Sequence, residues 1–218
     1  MHAKVLIAGA SVLTVGLAIV VAEPATAKTI QVTSTKCTGP GSLMKAIDDA
    51  NGSSGPDTIA FAQGLVVDVS NCPAAGTSSS KYYFANVTGD VIFDGNGASL
   101  QGVQAWIDSS GGVNPLTDVC PADAPNIILS STPGFLNVSP NVKVTLTDLN
   151  LDQLEAIAKV QAGASLTMTG VKATQIRPIT KCQTPAITSD NATVVLKTNT
   201  WSRVQGWAPH LGPVPGDG

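Results

Sequence analysis

The sequence predicts an all-β fold, a parallel β-helix capped at its N-terminus by one α-helix, and three observations carry that expectation. The chain repeats itself: residues 138–156 superimpose on 160–178 with an offset of 22, and residues 192–201 follow 164–173 with an offset of 28. Each unit alternates apolar and polar residues, as in Val144-Thr145-Leu146-Thr147 and Leu166-Thr167-Met168-Thr169, the period of a strand with one buried face. No helical stretch of the kind that helical or leucine-rich repeats require lies between the units. Short-strand repeats of roughly 20 to 30 residues cannot bury a core singly and stack into a solenoid.

Stacking unit on unit predicts columns of like residues. Val144, Leu166 and Val194 form one inward column, and Leu146, Met168 and Leu196 another. Thr145 over Thr167 and Thr147 over Thr169 form outward ladders, where threonine suits an exposed β surface. A looser copy occupies residues 90–100. One column breaks: Leu149 and Val171 are succeeded by Asn199, so the last unit is either shifted in register or uses Asn199 in a turn.

Taken in order, residues 5–22 are an apolar run behind Lys4, followed by Ala25 and Ala27 in a small-x-small pattern. That reads as a signal peptide cleaved after Ala27. The rival reading is an uncleaved anchor, diluted by Gly9, Ser11, Thr14 and Gly16. Residues 28–33 alternate as an opening strand, and 58–62 read as another. Between them Leu43, Ala46, Ile47 and Ala50 fall at i, i+3, i+4 and i+7, one face of a helix. Ser42 is its N-cap, and Asn51-Gly52 supplies the stop. The chain thus divides into a signal segment (1–27), a cap strand and helix (28–62), a short β-helix (63–207) and a Pro/Gly-rich tail (208–218).

Composition narrows the partners. With 12 Lys+Arg against 15 Asp+Glu and a net charge of −3, the chain offers no phosphate-neutralising surface, and nucleic acid is not expected. Cys37, Cys72, Cys120 and Cys182 include no Cys-x-x-Cys pair, which argues against zinc. In an oxidising compartment they read as two disulfides, with three connectivities open. Cys37–Cys72 and Cys120–Cys182 are preferred, because each pair flanks a coherent stretch of chain.

The run Gly41-Ser42-Leu43-Met44-Lys45-Ala46-Ile47, followed by Ala50-Asn51 and Gly55-Pro56-Asp57-Thr58-Ile59, resembles the N-terminal Ser-Leu-x-x-Ala-Ile capping signature of secreted right-handed β-helix proteins of the pectin-lyase-like type. Asp90-Val91-Ile92-Phe93-Asp94-Gly95-Asn96-Gly97 resembles a turn common in those solenoids. The similarity covers most of residues 29–204, and it implies a right-handed coil and a bacterial source. Met44 stands where the family usually has Arg, and the four to six repeats are fewer than in its enzymatic members. The family's polysaccharide chemistry uses paired carboxylates, or Ca²⁺ with an Arg or Lys base. Carried over, the weak candidates are Asp94, Asp108, Asp148 and Asp152, with Lys172 and Arg177 as the nearest bases. Trp106-Ile107-Asp108 resembles a pectate-lyase Trp-Ile-Asp-His segment, but Ser109 replaces the His.

Behind the signal segment the one histidine is His210, so triad chemistry and a multi-histidine metal site are not expected. Gly95-Asn96-Gly97 lacks the Lys-Ser/Thr of a phosphate loop. Asn51, Asn86, Asn137 and Asn191 each begin an Asn-x-Ser/Thr sequon. Trp201, Val204 and Trp207, with the tail, are expected to fold over the last coil; exposure of Trp201 and Trp207 to a ligand is the alternative. The functional expectation is an exported, secreted or cell-surface binding or adhesion module without a cofactor. Thr145, Thr147, Thr167, Thr169, Trp201 and Trp207 are its candidate contacts for a glycan or surface protein, and no membrane span remains after cleavage. The alternatives are a minimal lyase or hydrolase of acidic polysaccharides, for which Ca²⁺ becomes a candidate, and a structural envelope component. Oligomeric state is left open.

Overall fold

A computed structural model describes residues 26–73, 83–107, 113–115, 129–131, 133–176, 186–202 and 204. The first coil opens with β1 (Thr29–Val32) and is followed by α1 (Leu43–Asn51). Three strands then recur per coil. The second coil has β2 (Asp57–Phe61), β3 (Val66–Asp68) and β4 (Tyr83–Val87). The third begins with β5 (Val91–Asp94) and β6 (Ser99–Gln101). It then inserts β7 (Gln104–Ile107), β8 (Val113–Pro115) and β9 (Leu129–Ser131) before β10 (Gly134–Val138). The fourth coil is the shortest: β11 (Lys143–Thr147), β12 (Asn150–Asp152) and β13 (Ala158–Val160). β14 (Ser165–Thr169), β15 (Lys172–Thr174) and β16 (Ile187–Ser189) form the fifth. β17 (Thr193–Lys197) and β18 (Thr200–Ser202) begin the sixth.

Like strands of successive coils pair side by side, always parallel. A long sheet runs β1-β2-β5-β11-β14-β17, a second β18-β15-β12-β6-β3, and a third β16-β13-β10-β4. Only the inserted sheet β8-β7-β9 is antiparallel. The fold is therefore a parallel β-helix solenoid with a helix at its N-terminus. The second to fifth coils each contribute three strands to the parallel sheets.

The expected columns stand in register. Val91, Val144, Leu166 and Val194 are stacked partners, as are Phe93, Leu146, Met168 and Leu196. In the second sheet Val67, Leu100, Leu151, Ala173 and Trp201 line up. In the third, Val87, Val138, Val160 and Ser189 do. Phe135 sits between Phe84, stacked at 5.3 Å, and Phe93, edge-on at 5.5 Å. Burying each such side chain contributes roughly 1.5–3 kcal/mol, so the columns are the main stabilising term.

Corners stack as regularly as strands. Asp148, Gly170 and Thr198 occupy one bend position in three successive coils, with φ of 46°, 67° and 50°. Asn141, Gly163 and Asn191 repeat this at the next bend, with φ of 62°, 72° and 46°. A left-handed non-glycine residue costs about 1–2 kcal/mol, so coil stacking rather than local preference holds these bends. Glycine serves a second purpose at position 170, where the Asp148 carboxylate fills the space a Cβ would need. Gly95 likewise packs against backbone, since a Cβ there would lie 2.5 Å from the Asp148 carbonyl oxygen. Asn199 stays in register and resolves the broken column as a turn. Its Oδ1 accepts from the Val171 amide at 2.9 Å and its Nδ2 donates to the Met168 carbonyl at 3.1 Å.

At the N-terminal end α1 buries Leu43, Ala46, Ile47 and Ala50, the face read from the sequence, against β1, β2 and β4. The Ser42 hydroxyl accepts from the Lys45 amide at 3.3 Å, as an N-cap does. The helix stops at Asn51-Gly52 as expected; Gly52 is right-handed, with φ −85°, and its amide donates to the Asp48 carbonyl at 3.1 Å. Asn51 anchors this end, donating to the Asn86 carbonyl and accepting from the Thr88 amide, both at 2.8 Å. Asp57 is fully buried yet satisfied, accepting from the Lys28 amide at 2.8 Å and from the Ser53 hydroxyl. A Cys37–Cys72 disulfide, with Cα atoms 5.5 Å apart, ties the segment before α1 to the exit of the second sheet. Cys120 and Cys182 lie outside the described residues, as do residues 1–25 and 205–218. Among the described residues no helix is long and apolar enough to cross a membrane.

Candidate binding face

The outward side of the long sheet carries two parallel columns along the solenoid axis. One is Thr29, Thr58, Ile92, Thr145, Thr167 and Val195; the other is Gln31, Ala60, Asp94, Thr147, Thr169 and Lys197. The first is wholly β-branched, the residue class that fits a pleated, half-exposed surface. Rungs repeat about every 4.8 Å, and alternate residues along a strand stand roughly 6.6 Å apart. The four threonines named from the sequence therefore form one regular patch of methyls and hydroxyls. The Thr147 hydroxyl donates to the Phe93 carbonyl at 3.2 Å, which fixes its rotamer. Charge on this face is sparse: Asp94, Lys143 and Lys197 bound the patch. Asp90 caps the Lys143 amide at 2.8 Å.

Chain length explains why the face is open. Apart from 33–56, which carries α1 from β1 to β2, the connections into and out of the long sheet are short: 88–90, 139–142, 161–164 and 190–192 on one side, and 62–65, 95–98, 148–149, 170–171 and 198–199 on the other. The other long ones, 69–82, 102–133 and 175–186, join the second sheet to the third. Insertions thus gather at one corner and leave the long sheet clear among the described residues.

The carboxylate candidates do not converge. Asp94 is exposed on the long sheet, Asp148 sits in the adjoining bend, and Asp152 is on the second sheet, facing outward as predicted while Leu149 and Leu151 are fully buried. Asp108 and Arg177 lie outside the described residues, and so does Trp207. Lys172 pairs with Asn150, and Thr174 with Asp152. Trp201 is part-buried at the end of its inward column. No group of three His, Cys, Asp or Glu side chains that could hold a metal occurs among the described residues.

Asp152 is the one carboxyl pushed up, by burial, against the opposing pull of hydrogen bonds from the Gln153 side chain and amide. Its Oδ1 is buried without a partner. Two further groups escaped sequence reasoning. Asn137 donates to Asn86 Oδ1 at 2.7 Å and accepts from Gln161 at 3.0 Å, a side-chain ladder outside the third sheet. Tyr83 lies over Gly134, where a Cβ would meet its ring at 2.7 Å. Burial raises its hydroxyl, with Glu155 adding to the shift and a Thr188 hydrogen bond opposing it. The sequons at Asn86 and Asn137 were the available signal, hidden by the 51 residues between them.

Compared with known proteins, the chain matches no family model and aligns with no curated protein. Its affinity is thus one of architecture: a parallel β-helix solenoid with an N-terminal helix.

Proposed function

We propose that the protein is an exported binding module whose long-sheet face engages an extended glycan or a surface protein. The observation that supports this reading is the in-register Thr145/Thr167 and Thr147/Thr169 patch, on a sheet whose rungs from β5 to β17 are joined by short connections. Hydroxyls and methyls repeating at rung spacing suit a polymer that itself repeats along its length, and low charge avoids a desolvation cost on contact. The signal segment and the Cys37–Cys72 disulfide support passage to an oxidising compartment. Cys120 and Cys182 pair in the same reading. Retention on a panel of polysaccharides and surface proteins tests it. Thr145→Lys with Thr167→Lys should lower retention at least ~10-fold, the loss of about 1.4 kcal/mol, while Lys172→Ala on the second sheet leaves it unchanged. Failure to retain any member of the panel sinks the proposal.

Asp152 favours a second reading, a minimal polysaccharide lyase or hydrolase with this carboxyl as a proton donor, since a raised pKa suits that role. Unsaturated product released from polygalacturonate or alginate, and lost in Asp152→Asn, would support it; no release from either substrate would end it. The same substitution has a stability readout. A carboxyl raised in the folded state binds protons more readily than in the unfolded chain, so its contribution falls as pH rises through its folded pKa. Asp152→Asn should therefore stabilise at neutral pH, because it removes a charge that burial disfavours. The gain should vanish under acid conditions, as read by urea midpoints.

A further inference from the structure

We infer that the side-chain amide of Asn51 closes the third sheet in place of a missing rung, and that Asn51 is a deamidation site whose conversion releases the N-terminal cap from that sheet. β4 is the terminal strand of the third sheet. Its Val87 carbonyl faces β10, accepting from the Ser139 amide at 2.9 Å. The Asn86 carbonyl and the Thr88 amide point the other way, where Asn51 Nδ2 donates to the first and Oδ1 accepts from the second, both at 2.8 Å. In a parallel ladder a residue donates to the carbonyl before its partner and accepts from the amide after it. Thr58, paired with Thr29, donates to the Lys28 carbonyl in that way. The Asn51 amide therefore makes, opposite Val87, the bonds that a residue of another strand would make. Asn199 also joins backbone groups, but those of Met168 and Val171 lie farther apart and belong to a turn.

This pair of bonds is selective for an amide. A carboxylate of the same shape still accepts from Thr88, but it has no N–H for the Asn86 carbonyl and sets oxygen against oxygen. The sequence permits that exchange, because Gly52 follows Asn51 and a residue without a Cβ leaves its nitrogen unobstructed. The Gly52 nitrogen bonds to Asn51 Cγ, the bond from Cγ to Nδ2 breaks, and Nδ2 leaves as ammonia with the Gly52 proton. Water then adds across a C–N bond of the cyclic imide, leaving aspartate or isoaspartate. The folded cap opposes the first step from both sides. The Gly52 amide is held by the Asp48 carbonyl at 3.1 Å, and the Asn51 side chain is fixed at its oxygen and its nitrogen. Conversion therefore requires this end of the solenoid to open, and a converted chain no longer reseals it. The outer edge of β4 is then left as an unpaired template.

Peptide mass spectrometry on the full chain, aged folded and aged in urea, tests this. Conversion at Asn51 should be at least ~10-fold slower in the folded chain, since the cap must open first; equal rates overturn the inference. Asn51→Asp makes the product directly. In that variant hydrogen exchange at the Thr88 amide should quicken at least ~10-fold, while the amides of β11, paired on both sides, keep their protection. An unchanged Thr88 amide overturns the inference as well. If Asn51→Asp fails to fold, the conversion rates of the unsubstituted chain decide the matter alone.

Discussion

The two ends of this solenoid face the same problem and meet it differently. At the N-terminal end a helix shaped for the task buries four apolar side chains, with its N-cap, its Asn51 anchor and a disulfide holding it in place. At the other end the columns run out at Leu196 and Trp201 with no secondary structure above them among the described residues. Regular coils propagate themselves, since each rung is the template for the next. Ending the stack, by contrast, needs residues that depart from the repeat, and α1 is one such departure.

Ile47→Asp puts an unpaired charge between helix and first coil and should cost about 4 kcal/mol, the largest effect anywhere in the chain. A lowered urea midpoint reads it; a small loss would mean that α1 is an ornament and the N-terminal end is not sealed by it. Replacing Cys37 and Cys72 together by Ser opens a 35-residue loop and should cost about 3–4 kcal/mol, measured as the same midpoint. The sharpest form of the comparison stays within one column. Leu146→Ala should cost about 3 kcal/mol, whereas Leu196→Ala should cost about 1 kcal/mol, because Leu146 is fully buried and Leu196 is 40% exposed. Equal losses would make the two environments equivalent. Smallest is Ser42→Ala, about 1 kcal/mol for a lost N-cap, seen as a few degrees in the thermal midpoint.

Legibility followed the same division. Columns through β11, β14 and β17 could be read because these rungs alternate strictly and the intervening chain is short. The helix face could be read because Leu43, Ala46, Ile47 and Ala50 recur at helical spacing and point one way. The third-sheet strands could not be: every residue of β10 is buried, with Tyr83 over Gly134 and Gln161 bonded to Asn137 on the outer side, so the two-residue period vanishes. Insertion of residues 102–133 then places Val91 and Val144 53 positions apart, which hides an in-register pair from any search for a fixed repeat. The stop at Asn51-Gly52 could be read, but not the Asn51 side-chain bonds to Asn86 and Thr88, which lie 35 and 37 positions along the chain. Of the candidate binding face, the four threonines were legible; the neighbours that complete the columns, Thr29, Thr58 and Ile92, were not, since they belong to rungs with different spacing.

Placing all added length at a single corner separates two kinds of inheritance. Rung position is set by hydrogen-bonded partners, not by counting residues, so segments between the second and third sheets can grow, shrink or be exchanged without moving one stacked side chain. A foreign peptide grafted at 153–157, the leanest of these joints, would hang from a frame that registers nothing of its arrival, which makes that vertex the natural seat for diversification.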